Sequence, residues 1–311
     1  MTTIQLEYIV AVDTYRHFSM AAEHCCVTQP TLSMQIQKLE EELNIKIFDR
    51  SKQPVVPTEV GIAILEQARM VLHEAGKIKE IIQDKRNEIS GELRLGVIPT
   101  LAPYLLPLFL PDFLQRYPQV KLKIAEFTTE VLVDKLKSNQ IDVGLLVTPL
   151  SDNTLFTRHL FYEELVVYLS KTNELMKKNY VLARDIDVRH LWLLEEGHCI
   201  RSQIMNLCEL KHHYQESSTF EYEAGSIETL KKMVELNDGI TILPELSLYD
   251  LNAEQLARVR HFHHPAPVRE VSLATHRNYV KKRLVDALRN SILDAIPVKM
   301  QAQEQREIIK V

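Results

Sequence analysis

No apolar stretch in the 311 residues approaches the roughly 20 residues that a membrane-spanning helix needs. The N-terminus also lacks the basic-then-apolar layout of a secretory leader, so the chain is expected in the cytoplasm. Cysteine is scarce: four residues do not make a disulfide scaffold, and in a reducing compartment any disulfide among them is expected to be transient and redox-sensing. There is no positive excess, since 37 Lys and Arg against 42 Asp and Glu leave a net charge of −5, and composition gives no hint of nucleic acid. A GxGxxG loop, a P-loop and a hydrolase nucleophile elbow are all missing, and no cofactor is expected. His261, His263 and His264 alternate on a strand-like stretch and His212-His213 stands apart, without the Cys or carboxylate spacing of a metal site, so no metal is expected either. What remains is an ordinary globular composition, 45% hydrophobic and 25% charged, in a chain long enough for two or three domains.

The N-terminal segment carries the first informative pattern. Ile4, Leu6, Ile9, Val10 and Val12 suit an amphipathic helix, and Met20-Ala-Ala-Glu-His-Cys25 after Ser19 suits a short helix with small residues for close packing. In that helix Cys25 and Cys26 read as core. Thr28 is then a candidate N-cap, with Pro30 tolerated at a helix start. Leu32, Ile36, Leu39 and Leu43 form an apolar stripe, while Thr31, Ser33, Gln35, Gln37 and Lys38 lie away from it. Two short helices with a polar outer face on the second make a helix-turn-helix, although the same pattern also serves as a plain helical hairpin. Ile45 to Thr58, broken by Pro54 and Pro57, suits a two-stranded wing whose Arg50 and Lys52 could hold phosphates.

Phe18-Ser-Met-Ala-Ala, then Thr28-Gln-Pro-Thr-Leu-Ser-Met-Gln-Ile-Gln-Lys-Leu-Glu, Leu43, Phe48, Asp49-Arg50 and Thr58 together resemble the winged helix-turn-helix of LysR-type transcriptional regulators. The resemblance implies that Thr28, Gln29, Pro30, Thr31, Ser33, Gln35 and Lys38 on the recognition helix, with Arg50 and Lys52 in the wing, face promoter DNA. From Glu59 to about Glu88 a proline-free run with Val60, Ile64, Ala68, Val71, Ala75, Ile78 and Ile82 reads as a long helix. Its stripe must be covered either by its own chain or by a second chain. The resemblance favours the second, in a homodimer or a dimer of dimers (a homotetramer).

Beyond Ser90-Gly91, strands and helices alternate. Strands are expected at 93–98, 120–127, 141–147, 165–169, near Trp192, and at 219–222, 240–243 and 271–275, with helices between them, mostly in parallel sheets. The fold expected is α/β with an N-terminal all-α winged helix-turn-helix domain, a long linker helix and a two-lobed periplasmic-binding-protein-like sensor. Its boundaries are 1–58 for DNA binding, 59–89 for the linker, 90–163 with 268–297 for one lobe, 164–267 for the other and 298–311 for a frayed tail. In open α/β sheets ligands sit at strand C-termini near helix N-termini. Thr100, Thr129, Cys199 and Ser226 occupy such places, where the threonines serve equally well as plain helix caps.

Glu195-Glu-Gly-His-Cys-Ile-Arg opens a helix at Cys199 that runs towards Leu210. Cys208 is 208 − 199 = 9 residues on, about 13 Å along a helix axis, while a disulfide needs Cα atoms within about 7 Å. Helix and disulfide therefore exclude each other. A helix start, His198 and Arg201 are expected to lower the Cys199 thiol, and nothing comparable helps Cys208. On that asymmetry Cys199 attacks and Cys208 resolves; as an alternative, both are structural cysteines. Gly-His-Cys-Ile-Arg with Gln203 and the second cysteine resembles the peroxide-sensing branch of LysR-type activators, as do Ile98-Pro-Thr100, Pro103-Tyr104-Leu-Leu-Pro107, Ser226-Ile-Glu-Thr-Leu and Gly239-Ile-Thr-Ile-Leu-Pro244. That resemblance implies a peroxidatic Cys199 and a resolving Cys208. It also implies a hydrogen peroxide pocket of Thr100, Thr129, His198, Arg201 and Ser202, where Ser202 replaces the usual Asp. RNA polymerase and thioredoxin- or glutaredoxin-type reductants are the further partners implied. The rivals are a relative gated by a small metabolite in the cleft, a thiol peroxidase, and a binding protein with no regulatory role.

Overall fold

The computed structural model describes residues 1–84, 89–150, 154–208, 224–236, 239–276, 281–301 and 307–309. The chain forms two compact units, Met1–Glu88 and Ile89–Val311.

In the first unit, helix α1 (Thr3–Tyr15) begins at a reciprocal cap: the Thr2 hydroxyl accepts the Gln5 N–H at 3.3 Å, and Gln5 Oε1 accepts the Thr2 N–H at 2.9 Å. It packs with α2 (Phe18–His24) and α3 (Gln29–Leu43) around Ile9, Val12, Leu32, Ile36 and Leu39, all fully buried. Each such side chain contributes about 1.5–3 kcal/mol by leaving water. Thr28 does precede α3, but its hydroxyl pairs with Thr31 Oγ1 at 2.8 Å and caps no backbone N–H. Leu43 does not complete the buried stripe; it is exposed, because α3 ends at the left-handed Asn44. Cys25 and Cys26 also depart from expectation. Cys25 is half-buried at the end of α2, and Cys26 is exposed with φ of 55° in the turn between the helices.

The wing strands β1 (Phe48–Asp49) and β2 (Val56–Pro57) pair antiparallel, and buried Glu40 anchors them by accepting the Ile47 N–H at 2.8 Å and the Phe48 N–H at 3.3 Å. Helix α4 (Glu59–Asp84) follows, about 39 Å long at about 1.5 Å per residue. Gly61 allows it to start against the wing, since a Cβ there would meet the Ile47 carbonyl oxygen at 2.1 Å. Leu65 and Ala68 bury themselves among the core side chains of α1, and Arg69 pairs with Asp13. The early part of the expected stripe is thus covered by its own chain, while Val60, Met70 and Ile78 stay exposed.

The second unit runs β3 (Gly91–Val97), α5 (Ala102–Arg116), β4 (Val120–Glu126), α6 (Thr129–Lys137), β5 (Val143–Thr148), β6 (Leu155–Leu169), β7 (Tyr180–Val181), α7 (Cys199–Leu207), α8 (Ile227–Leu236), β8 (Ile240–Pro244), α9 (Ala253–Leu256), β9 (Val259–Phe262), β10 (Pro267–His276), α10 (Lys282–Ala295), α11 (Val298–Gln301) and β11 (Glu307–Ile308). The sheet order is β4-β3-β5-β10-β6-β9-β7, with β8 also on β6 and β11 on β10. The long strand β6 organises it: residues 155–164 pair with β10, and 165–169 pair with β8. The sheet is mixed where mostly parallel pairing was expected. β3, β4 and β5 are parallel, but β10 returns from the distal half and enters antiparallel between β5 and β6. The stretch near Trp192 makes only single bridges, Leu191 to Ile240 and Leu194 to Ala224, and the strand expected at 219–222 lies outside the described residues. The tail corrects the expectation of a frayed end. Glu307–Ile308 adds a parallel strand to Pro267–Val268, and the Ile309 N–H donates to the Val268 carbonyl at 3.0 Å.

Candidate functional site

Cys199 is the first residue of α7 and is buried. Gly197 makes the turn into the helix: its φ of 93° is left-handed, a conformation glycine adopts freely, and a Cβ there would come within 3.4 Å of Thr128 Cγ2. His198 takes the N-cap position, buried, with Nε2 3.7 Å from Glu195 Oε1. Through this turn the segment before α7 lies against the start of α6, and the sulfur reaches groups from three other elements.

Two of those groups are the expected threonines, though neither acts as a helix cap. Leu101 and Thr128 hold the cap positions of α5 and α6. Thr100 is buried, and its hydroxyl accepts from Arg269 at 3.1 Å. The Thr129 hydroxyl lies beside Cys199 and favours its thiolate, and its buried oxygen has no formed hydrogen bond among the described residues. A buried hydroxyl in that condition calls for an explanation, because such oxygens are normally satisfied.

Arg269 is the residue that sequence reading missed. It projects from β10 with no exposed surface, and it is the strongest influence favouring a thiolate at Cys199. Behind it lies Glu163 of β6, also fully buried, which accepts from Arg269 Nε at 2.8 Å. One signal was available: a pair of charged residues inside each of two otherwise apolar strand runs, Pro-Val-Arg-Glu-Val and Phe-Tyr-Glu-Glu-Leu.

Three expectations change. Burial dominates at Cys199 and pushes its thiol up, against the lowering expected; Arg269, the Thr129 hydroxyl, the Ile200 N–H and the Thr100 hydroxyl pull the other way. Arg201 turns aside, donating to the Leu194 carbonyl at 2.8 Å, and Ser202 is exposed. At the far end of α7, Cys208 is partly buried and its thiol is pushed up to about 11 by burial alone. Both cysteines are free, separated by the intact helix. Gln203, one turn after Cys199, is fully buried and donates from Nε2 to the Ile309 carbonyl at 3.1 Å, which ties the tail strand to this helix.

Residues 86–297 match the LysR substrate binding domain, and residues 4–62 match the bacterial regulatory helix-turn-helix protein, lysR family. The chain belongs to the LysR family. Among its LysR-family relatives is the hydrogen peroxide-inducible genes activator of Haemophilus influenzae, 33% identical over 88% of this chain and 90% of the relative. The DNA-binding transcriptional dual regulator OxyR of Escherichia coli is 36% identical over 80% of each chain. Full-length OxyR from Pseudomonas aeruginosa, with a cysteine changed to aspartate, superposes with a TM-score of 0.82 at 34% identity over 95% of this chain and 99% of that one. A hydrogen-peroxide-bound mutant OxyR from Corynebacterium glutamicum reaches 0.62 at 25% identity, covering 94% and 92%. The two-lobed sensor and the helix-turn-helix expected from sequence are therefore those of this family, a family of DNA-binding transcription regulators.

Of the residues expected to face DNA, Thr28, Gln29, Pro30 and Lys38 are exposed on α3 and Lys52 is exposed in the wing. Arg50 spends its guanidinium on the protein: it donates to Ser33 Oγ at 3.0 Å and to Glu40 Oε2 at 3.2 Å, over the Phe18 ring. Ser33 and Arg50 thus brace wing against helix. Thr31 is held by Thr28, and the Gln35 carbonyl accepts from Gln5 at 3.3 Å. Among the described residues no group of His, Cys, Asp or Glu could hold a metal, and no helix is long and apolar enough to cross a membrane.

Proposed function

We propose that this LysR-family regulator is an OxyR-type sensor switched by hydrogen peroxide through a reversible Cys199–Cys208 disulfide. The observation that carries the reading is the buried cluster at the start of α7, where one thiol meets a guanidinium and two hydroxyls. Hydrogen peroxide is small enough for such a site, and its oxygens can satisfy the unpartnered Thr129 hydroxyl. The Cys199 thiolate attacks one peroxide oxygen; an S–O bond forms, the O–O bond breaks, and the leaving hydroxide takes a proton to become water. Cys208, as thiolate, then attacks the sulfenic sulfur: the S–S bond forms, the S–O bond breaks, and the hydroxide that leaves takes up the proton Cys208 gave up and becomes water.

Cys208 at about 11 is thiolate in only about one part in 10⁴ at pH 7 while α7 is intact. The second step therefore waits for the helix to open, which the roughly 13 Å between its ends requires in any case. In this reading residues 164–267 form the lobe that rearranges, 90–163 with 268–297 the lobe that presents Thr100, Thr129 and Arg269, and 59–89 the linker to the DNA-binding residues 1–58. The rearrangement changes how paired helix-turn-helix domains, in a homodimer or dimer of dimers, engage promoter DNA and RNA polymerase. Thioredoxin- or glutaredoxin-type dithiols in the cytoplasm reset the switch.

The deciding experiment treats the reduced full chain with equimolar hydrogen peroxide and maps peptides without reductant. A Cys199–Cys208 linkage formed within seconds, with a changed promoter footprint, is the expected outcome. Free thiols at both positions would sink the proposal. Steady peroxide turnover with thioredoxin and no specific promoter binding would favour a peroxidase instead.

A further inference from the structure

The charge pair behind Cys199 has a member that the peroxide chemistry does not touch. Arg269 and Glu163 are direct register partners across β10 and β6, and neither has any exposed surface. The guanidinium is held on two edges. Its Nε donates to Glu163 Oε2 at 2.8 Å, and its terminal nitrogens donate to the Thr100 hydroxyl and the Thr100 carbonyl, both at 3.1 Å. Glu163 is itself anchored, because its other oxygen accepts the Leu246 N–H at 2.8 Å. Burial pushes Glu163 up and the Glu245 carboxylate adds to that, while the Arg269 guanidinium and the Leu246 N–H, one donor to each of its oxygens, favour the ionised form.

A buried pair of opposite charges has no net charge, and it favours a thiolate only if it is oriented. Here the orientation is fixed: Glu163 takes the Nε edge and leaves the terminal edge for Thr100, whose hydroxyl lies beside the sulfur of Cys199. We propose that Glu163 is a positioning residue for the Cys199 reaction, aiming the Arg269 guanidinium at Thr100 and the sulfur while offsetting part of its charge there. The proposal rests on the peroxide-sensing reading for the reaction it serves, but its test does not.

Two substitutions separate aim from charge. Glu163→Asp keeps the charge and withdraws it by one methylene, so the guanidinium retreats from Thr100 and the sulfur. Glu163→Gln keeps the size, removes the countercharge and turns an amide donor towards one of two existing donors. Thiolate absorbance near 240 nm is titrated in the full chain with Cys25, Cys26 and Cys208 changed to Ser, using the further Cys199→Ser chain as blank; melting by circular dichroism reports the fold. Tyr104 beside Arg269 and Glu245 beside Glu163 are ionisable neighbours of the pair, His198 adjoins Cys199 in the chain, and all stay in place.

The Asp variant should move the Cys199 midpoint up by about one pH unit and slow sulfenic acid formation by peroxide about tenfold at pH 7. The Gln variant, where folded, should move the midpoint down by a similar amount. A midpoint unmoved in a folded Asp variant overturns the proposal, since a purely structural Glu163 lowers melting temperature and nothing else. If Gln fails to fold, the Asp titration decides alone. Midpoints that move in a chain whose Cys199 ignores peroxide would leave Glu163 in its role and remove the peroxide reading instead.

Discussion

The two ends of α7 carry the same chemical group in opposite surroundings. Cys199 is the more buried thiol, and burial pushes it up, but a guanidinium, two hydroxyls and a backbone N–H are arranged to oppose that. Cys208 is less buried, and burial pushes its thiol up with no opposing group among the described residues. In the proposed sensor, reactivity therefore would not follow exposure. It would follow which polar groups the fold delivers to the sulfur, and a water-poor site strengthens each of them. The nine-residue spacing of the thiols also lets one event disturb both ends, since α7 cannot persist when its ends are joined.

The contrast breaks most completely at Cys199. Cys199→Ser should abolish peroxide-induced sulfenic acid and disulfide, read by intact-mass analysis after trapping, while Cys208→Ser should retain a trappable sulfenic acid at Cys199. An unreactive Cys199 in the Cys208→Ser chain would reverse the assignment of roles. Next in size is the charge support. Arg269→Met leaves Glu163 as a buried unpaired carboxylate and should cost about 3–5 kcal/mol in urea unfolding, with much of that recovered in the Arg269→Met, Glu163→Leu double variant. A loss below about 1 kcal/mol would mean that the pair does not bear on the fold.

At the other end of α7 the expected effect is one of pH. Burial pushes the folded Cys208 thiol up to about 11, above the ordinary thiol value of about 8.5, so the native state holds this proton more tightly than the unfolded chain. Stability from this group is complete below the unfolded value and is lost as pH rises through the window up to about 11. Cys208→Ser should flatten the alkaline stability curve in that window, while a curve of unchanged slope would show that helix opening already exposes the thiol. The smallest effect concerns the tail. Removing residues 307–311 takes away the β11 pairing with Pro267–Val268 and the acceptor of Gln203 Nε2, and should cost about 1–2 kcal/mol. Full retention of stability would mean that the tail strand holds nothing in place.

Much of the site was legible because it is local. The helix beginning at Cys199 follows from Gly197 and the spacing of Ile200 and Ile204, and Ser226 caps α8 by accepting the Thr229 N–H at 3.3 Å. Thr100 and Thr129 were placed by following strand ends. The winged helix-turn-helix was legible for the same reason, as Leu32, Ile36 and Leu39 line one face of a single helix. Arg201 and Ser202 entered the expected pocket through the family resemblance; in the fold Arg201 donates to the Leu194 carbonyl and Ser202 is exposed.

By itself the sequence determined the family, the helix bearing both thiols and the mutual exclusion of that helix with a disulfide, because each depends on spacing or motif along one segment. Only the tertiary structure decided what acts on the sulfur. Arg269 stands 70 residues beyond Cys199, and it becomes a neighbour through the return of β10 to pair with β6, a register set by the sheet as a whole. The same holds for Glu163, for the strand made by the tail, and for the burial that raises both thiols. Burial is a sum over the packed unit, and no window of sequence contains it.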